Sequence, residues 1–180
     1  ADAALHRKFI QCEAMAHEYR LPLIRMIDGT GGGGSVKTLE DMGYTYIPAV
    51  PGWDEIITNQ ETVPVVALAL GPTAGLGAAR VVASHYSVMV RGLSQLFAAG
   101  PAVAAAIGDT LDREELGGVE VHTRNGVVDD EVASEAEAFA RARRFLSYLP
   151  SSVEGRAERV KSRDYSGRRE EALMSAVPRD

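Results

Sequence analysis

Two glycine-rich segments, each directly after an apolar run, are the parts of this sequence that could do chemistry. The apolar residues 23–27 lead into DGTGGGG at 28–34, and the apolar residues 63–70 lead into GPTAGLG at 71–77. Glycine lets backbone N–H groups approach a ligand without side-chain shielding, and a helix beginning there adds its dipole. Two such loops that converge could give N–H donors to one oxygen, which makes an oxyanion hole. The same pattern also fits tight turns that bind nothing.

Other chemistries have weaker support in the residues. Residues 29–34 satisfy G-x-G-x-x-G, but a glycine run meets that pattern almost automatically, and no G-x-x-x-x-G-K-[ST] phosphate loop is present in the sequence. No His, Cys and Asp cluster has metal-ligand spacing, so we predict no metal site. We predict that His122 is a hydrogen-bonded structural residue, Cys12 a small buried residue and Trp53 a packing anchor. For His85 the sequence offers no partner.

The elements that must position these loops follow from hydrophobic spacing. The pattern predicts an opening helix that ends before Leu21-Pro22, a short buried strand at 23–27 and a strand covered on both faces at 63–70. Further helices are predicted at 53–60, 78–84, 102–107 and 113–116, and further strands at 86–90 and 96–98. A long helix is predicted from Asp129-Asp130-Glu131 to Pro150, because acidic residues favour a helix start. This alternation indicates a layered α/β fold.

Composition bounds the class of protein. The chain has 180 residues, 46% hydrophobic and 24% charged, which fits one domain with a sizeable core. A net charge of −6 argues against general nucleic-acid binding, and the lone cysteine fits a reducing compartment. The longest uncharged run, 63–79, is broken by Gly71-Pro72 and falls short of the roughly 20 apolar residues of a membrane span, so we predict no membrane association. Thirteen of the last 30 residues are charged, which is typical of a connector.

Four sequence motifs occur in the same order as in one known protein family. Residues 71–75, GPTAG, resemble a Gly-Pro-Cys-Ala-Gly-Gly loop of that family, and residues 114–118, EELGG, followed by His122, look like its Glu-Glu-Leu-Gly-Gly…His stretch. Residues 126–131 with 146–151 are similar to the end of its N-terminal half, and residues 168–179 resemble the connector that follows. By these four motifs the chain resembles the carboxyltransferase (beta) subunit of biotin-dependent acyl-CoA carboxylases of the propionyl-, acetyl- and methylcrotonyl-CoA type.

The resemblance implies an α/β, crotonase-like (ClpP/crotonase) fold, a layered β-β-α superhelix. It places residues 1–150 in the N-terminal half, incomplete at its start, and residues 151–180 in a charged connector toward a C-terminal half. The implied substrate is a coenzyme A thioester, and the implied carboxyl donor is biotin, as carboxybiotin held by a partner. The implied partners are a biotin carboxyl carrier, a biotin carboxylase component and further copies of the chain, in the cytoplasm or the mitochondrial matrix. Without its second half, the chain is not expected to act alone.

The resemblance also assigns site residues. It makes the backbone N–H groups of Gly75 and Leu76 the oxyanion donors, although the family usually has a second glycine where Leu76 stands. We expect both groups to point into a cleft whose facing wall is formed by Gly31 to Gly34. The implied acyl-CoA contacts are Gly31, Gly32, Gly33, Gly34, Gly71, Ala74, Gly117 and Gly118. Two alternatives stay open: a biotin-dependent acyl-CoA decarboxylase subunit, and a noncatalytic scaffold half of such an assembly. The motifs do not specify the acyl group.

Overall fold

The computed structural model describes residues 3–30, 40–44 and 52–177. Its helices and strands, in chain order, are α1 (Ala3–Tyr19), β1 (Leu23–Thr30), α2 (Trp53–Thr62), β2 (Val65–Ala74), α3 (Leu76–Val82), β3 (Tyr86–Val90), β4 (Gln95–Phe97), α4 (Pro101–Ala106), α5 (Arg113–Gly117), α6 (Val119–Arg124), β5 (Asp130–Val132), α7 (Glu135–Leu146) and a short 3-10 helix (Glu171–Ser175). The predicted alternation of strands and helices is confirmed.

The described strands form one parallel sheet in the order β1-β2-β3-β5, and β4 pairs with the carboxyl-terminal end of β2. A parallel sheet needs cover on both faces, and the apolar run of β2 is fully buried at its centre as predicted. Two apolar clusters lie on opposite faces of the sheet, one with α7 and the other with α3 and α6. Their fully or nearly buried members are Val66, Leu68, Val88, Val90, Val132, Ala138 and Ala142 in the first, and Ala67, Ala69, Val81, Met89, Leu96, Val119 and Val128 in the second.

Strand β1 is present as predicted, but it is buried only in part. It lies at an edge of the sheet, and its side chains alternate between two environments. Arg25 is buried beneath the helices, whereas Met26 is 60% exposed and Ile24 is also exposed. Both apolar side chains line an open groove beside Phe139 of α7, which packs over β2 and β3. The face of β1 that carries the apolar Ile24 and Met26 is therefore exposed, whereas the buried face includes the charged Arg25.

The segment Gly71-Pro72-Thr73-Ala74 was predicted to be a loop, and this is wrong because β2 continues to Ala74. The extension has backbone neighbours on both sides: Thr73 is paired with Gly29 of β1 and with Leu96 of β4. Pairing with two strands overrides the turn tendency of Gly71-Pro72. The turn itself is confined to Gly75.

The acidic run Asp129-Asp130-Glu131 was predicted to begin a helix, and this is also wrong. Asp129 accepts hydrogen bonds from the backbone N–H and hydroxyl of Ser87, both at 2.8 Å, and the residues that follow form β5. The carboxylates therefore tie β5 to β3 instead of facing a helix dipole. Helix α7 begins later, after Ser134, whose hydroxyl accepts from the Glu137 N–H.

Residues 151–177 contain neither an α-helix nor a strand, and nearly all of them are exposed. Their only regular element is the 3-10 helix, whose Leu173 and Met174 side chains face solvent. Over the ranges that the structure describes, none of the helices is both long and apolar enough to cross a membrane.

Candidate active site

The chain reverses from strand to helix at Gly75. Its backbone angles, φ 60° and ψ −125°, belong to a region that side-chain-bearing residues rarely adopt, so the turn requires glycine for conformation. An added Cβ would meet nothing within 4 Å, which excludes crowding as the reason. Ala74 ends β2 on one side, and Leu76 begins α3 on the other. The predicted strand-to-helix turn is therefore confirmed.

The two backbone N–H groups of this turn have different environments. The Gly75 N–H donates to the Phe97 carbonyl at 2.9 Å, so the prediction that both groups point into a cleft is wrong for Gly75. The reason is that the pairing between β2 and β4 extends one residue beyond β2. Leu76, in contrast, is the first residue of α3, and the first N–H groups of a helix have no acceptor within it. The Ala79 N–H bonds to the Gly75 carbonyl at 3.0 Å, and Leu76 is 40% exposed.

The end of β1 lies beside this turn. Gly29 is paired with Thr73 and Thr30 with Ala74, so the carboxyl ends of β1 and β2 meet at one edge of the sheet. An irregularity after Ile27 shifts the register. The first residues of the two glycine-rich segments are thus neighbours. The predicted facing wall, Gly31, Gly32, Gly33 and Gly34, lies outside the described residues and stays a prediction.

Gly71 and Gly77 allow this close approach. A Cβ on Gly71 would lie 2.0 Å from the Asp28 carboxylate oxygen Oδ1, so the carboxylate of β1 occupies the space over the Gly71 Cα. A Cβ on Gly77 would lie 2.7 Å from the Thr73 methyl carbon and 3.4 Å from the Gly29 carbonyl. Both glycines therefore have a packing function in addition to any ligand contact.

The stretch 114–118 packs against β4. The Glu115 carboxylate accepts from the Asp112 N–H at 3.0 Å, while the Asp112 side chain accepts from the N–H groups of Glu114 and Glu115, which completes a capping box. The Glu114 carboxylate accepts from the side-chain amide of Gln95 in β4. The acidic pair of this motif therefore starts α5 and attaches it to the sheet.

The two glycines that follow are close-packed. A Cβ on Gly117 would lie 2.2 Å from the Leu96 carbonyl oxygen, and one on Gly118 would lie 2.6 Å from the Glu114 carbonyl oxygen. His122 Nε2 lies 2.9 Å from the same Leu96 oxygen, which confirms the predicted structural histidine. Since Phe97 follows Leu96 and accepts from Gly75, this motif supports the turn through β4. Contact of Gly117 and Gly118 with acyl-CoA stays a prediction.

A buried polar cluster behind α3 was not found by the sequence reasoning. Arg25 and Glu13 form a two-point ion pair, with Nε–Oε1 at 2.7 Å and Nη2–Oε2 at 3.0 Å, and Asn59 donates to the same carboxylate at 2.8 Å. Arg80 of α3 lies close by, over the rings of Phe9 and Trp53, at 5.2 and 5.8 Å from their centroids. Burial lowers the pKa of Arg80, an effect that the nearby Glu13 partly offsets. A charged residue inside the apolar run of β1 was the available signal, because a buried charge needs a partner.

The sequence also raised questions about the surroundings of Cys12, Trp53 and His85. Cys12 is exposed, so the prediction that it is buried is wrong. The neighbouring Glu13 faces inward to pair with Arg25, and this sets the rotation of α1. Trp53 packs under Arg80, as predicted. His85 does have partners: its Nδ1 accepts from the Val65 N–H at 3.0 Å, and its Nε2 donates to the Gln60 carbonyl at 2.9 Å. Among the described residues, no group of His, Cys, Asp and Glu could hold a metal ion.

The parallel sheet and its strand-to-helix turn define a crotonase-like α/β fold, and solved structures agree. The 12S subunit of transcarboxylase, solved as a hexamer with methylmalonyl-coenzyme A and methylmalonic acid bound, superposes with a TM-score of 0.70 at 23% identity. The alignment covers 97% of this chain and 33% of that one. Residues 2–180 match the family model described as the carboxyl transferase domain, and the chain belongs to that family.

Two curated relatives show how much of a whole protein this chain represents. The mitochondrial methylcrotonoyl-CoA carboxylase beta chain of Dictyostelium discoideum is 32% identical over 150 residues, which cover 79% of this chain and 24% of the relative. The methylmalonyl-CoA decarboxylase subunit alpha of Veillonella parvula is 28% identical over 177 residues, covering 95% of this chain and 33% of the relative. The chain thus spans about a quarter to a third of the length of these relatives.

Proposed function

We propose that this chain is part of the carboxyltransferase component of an acyl-CoA carboxylase. It acts in transfer of a carboxyl group from carboxybiotin to the α (or vinylogous) carbon of an acyl-CoA. The family match over residues 2–180 and the carboxylase beta chain among its relatives support this reaction. The structural observation that carries the proposal is the turn at Gly75, which leaves the Leu76 N–H without an acceptor in its own helix.

The proposed reaction develops negative charge on the thioester oxygen, which an N–H group of the turn can stabilise. Loss of the α-proton moves charge onto the thioester oxygen, and a fixed N–H donor stabilises that charge more in the transition state than in the ground state. Carboxybiotin supplies the carboxyl group, and its released ureido nitrogen can accept the proton. We assign the donor to the Leu76 N–H, while Gly75 forms the turn and is held by Phe97. The expected contribution of one such donor is about 10²–10³ in rate.

The acyl-CoA contacts belong to the same proposal. Gly71 and Ala74 lie within the last four residues of β2, beside the end of β1. This position supports their placement along the thioester. Gly31, Gly32, Gly33 and Gly34 continue the chain from that end. Gly117 packs against the backbone of β4 and Gly118 against Glu114 of α5, and we place both glycines at the periphery of the substrate path.

The assembly and the division of the chain are proposed from the relatives. A biotin-carrying partner and a biotin carboxylase component would complete the reaction, and several copies of the chain would associate, as in the hexameric structure it resembles. We assign residues 1–150 to the N-terminal half and 151–180 to the connector, since the exposed residues 151–177 contribute little to the core. A cytoplasmic or mitochondrial-matrix location is consistent with the mitochondrial relative.

A substitution that removes the Leu76 N–H without disrupting α3 tests this proposal. Leu76→Pro deletes the N–H at the first position of α3, where proline is tolerated because that N–H has no acceptor in the helix. Leu76→Ala is the matched control, since it shortens the side chain and keeps the N–H. Both variants are assayed in the native assembly for carboxylation of acetyl-, propionyl- and methylcrotonyl-CoA. We expect kcat to fall about 10²–10³-fold for Leu76→Pro and less than about tenfold for Leu76→Ala.

The two alternative functions, a decarboxylase subunit and a noncatalytic half, predict different results in these assays. In its native assembly, a biotin-dependent decarboxylase would give net transfer of the carboxyl group from a carboxylated acyl-CoA to biotin, whereas a carboxylase gives net transfer from carboxybiotin to the acyl-CoA. A noncatalytic half would leave both reactions unchanged in Leu76→Pro. Equal activity of Leu76→Pro and Leu76→Ala, with both variants folded, would refute the assignment of the donor.

A further inference from the structure

Arg25 has a geometry that the proposed reaction does not yet explain. It lies in the edge strand β1, yet it is only 7% exposed, and its carboxylate partner Glu13 is 6% exposed. Two of its guanidinium nitrogens bond to the two oxygens of Glu13. Asn59, which is fully buried, donates to the Glu13 carboxylate at 2.8 Å and to the Glu13 backbone carbonyl at 2.9 Å. The orientation of the guanidinium is therefore fixed from α1 and from α2.

The remaining guanidinium nitrogen contacts the end of α3. Arg25 Nη1 donates to the carbonyl of Ala83, the residue that caps α3, and lies 3.5 Å from the carbonyl of Arg80. The last carbonyl groups of a helix have no partner within it, and a positive charge there is favoured by the helix dipole. Arg25 thus satisfies an otherwise unpaired end of α3 from inside the protein. Considered alone, the contact between Arg25 and Ala83 is a buried cap at the end of α3.

The length of α3 links this cap to the oxyanion donor. Helix α3 has seven residues, which at about 1.5 Å each is a rod of about 10 Å. Leu76 is its first residue, and Ala83 directly follows its last. Such a short helix moves as one body, so a displacement at Ala83 is also a displacement of the Leu76 N–H.

We propose that Arg25 is a positioning residue, which holds the Leu76 N–H at the thioester oxygen by anchoring the opposite end of α3. The inference rests on the proposed function of Leu76. Glu13 and Asn59 orient Arg25, and Phe97 fixes the near end of the same turn through Gly75. An oxyanion donor must be held closely, because a misplacement of about 1 Å can lower the rate about 10²-fold.

A double substitution separates positioning from stability. Glu13→Leu with Arg25→Met removes both members of the ion pair together, so neither is left as an unpaired buried ion, and exchanges of this kind are often neutral or stabilising. Asn59 can keep its bond to the backbone carbonyl of residue 13. The variant still loses the donor to Ala83. Arg25→Lys is the second variant: it keeps the charge, but one ammonium group cannot reproduce the fork that binds Glu13 and Ala83 together. Glu120→Gln with Arg124→Gln, an exposed ion pair on α6, is the control for charge removal.

All variants are measured in the native assembly for kcat, KM for acyl-CoA, thermal midpoint and hydrogen exchange of the α3 amides. We expect the double variant to keep its thermal midpoint, to lose about tenfold or more in kcat at nearly unchanged KM, and to exchange faster at Ala79 to Ala83. Arg25→Lys should show a smaller loss in kcat, and the α6 control none. Full kcat in both Arg25 variants, or unchanged exchange in α3, would overturn the proposal. If Leu76→Pro is also fully active, the function assigned to Leu76 fails; if only Leu76→Pro is impaired, the positioning role alone fails.

Discussion

Substitution of Gly117 by alanine should damage the fold through one defined contact. A Cβ at this position would lie 2.2 Å from the Leu96 carbonyl oxygen and 2.6 Å from the Phe97 ring. Ordinary contacts of a Cβ atom begin at about 3.4 Å, so α5 and β4 must separate by about 1.2 Å. The nearest atom belongs to the backbone of a buried strand and cannot rotate away, unlike the end of a flexible side chain.

The cost of this separation can be estimated. Overpacking of a core usually destabilises by about 1–3 kcal/mol, and a backbone clash belongs at the upper end, near 3 kcal/mol. For a domain of this size, each kcal/mol lowers the melting temperature by about 2–4 °C, so we expect a decrease of about 6–12 °C. Because the Phe97 carbonyl accepts the Gly75 N–H, movement of β4 should also lower kcat.

The assay is thermal and urea unfolding of Gly117→Ala beside Gly100→Ala. Gly100 is the matched control, since its φ of −71° suits alanine and an added Cβ would meet nothing within 4 Å. It should change the free energy of unfolding by less than about 1 kcal/mol. A Gly117→Ala protein that melts within about 2 °C of the wild type would refute the packing argument.

Two further predictions concern stability. Burial, reinforced by the 2.7 Å hydrogen bond to Asp130, raises the pKa of Tyr86. This contribution to stability should be fully present below the unfolded tyrosine pKa of about 10 and be lost as the pH rises through the folded value. Tyr86→Phe, which keeps the stacking on Phe145, should flatten the decline in unfolding free energy measured by urea titration between about pH 9 and 11; an unchanged slope would contradict it. Ser134→Ala should lower the urea-unfolding free energy by about 1 kcal/mol, since it removes the acceptor for the Glu137 N–H at the start of α7, whereas Ser134→Asp should restore it.

Hydrophobic periodicity was sufficient for most of the fold. The strand at β2 and the opening helix follow from runs whose spacing has one interpretation, and tertiary packing agrees with it. The acidic run at Asp129 shows where local rules end. By themselves, these residues favour the start of a helix. Two hydrogen bonds from Ser87, 42 positions away, instead hold Asp129 beside β3, and the residues after it form a strand. Local pattern carries no information about such a partner.

The sequence also predicted the candidate site only in part: it predicted the turn but not which N–H group is available. A glycine followed by an apolar helix predicts a turn, and the turn is present at Gly75. Which N–H group remains available depends on β4, because the Phe97 carbonyl lies close enough to accept from Gly75. The charge of Arg25 in an apolar run indicated that it needs a partner, but not which one. The pair joins a helix to a strand through side chains that the periodicity assigns to opposite environments.

The turn is held from three directions, which would fix the position of the proposed donor, the Leu76 N–H, before charge develops. Phe97 fixes Gly75 from the sheet, Gly117 packs α5 against the strand that carries Phe97, and Arg25 binds the far end of α3. An N–H dipole stabilises developing charge without cost only if it does not have to reorganise as the charge forms. Each contact removes one way for the Leu76 N–H to move. Under the proposed function, the glycines and buried charges around the turn would therefore affect the reaction through the position of one backbone group.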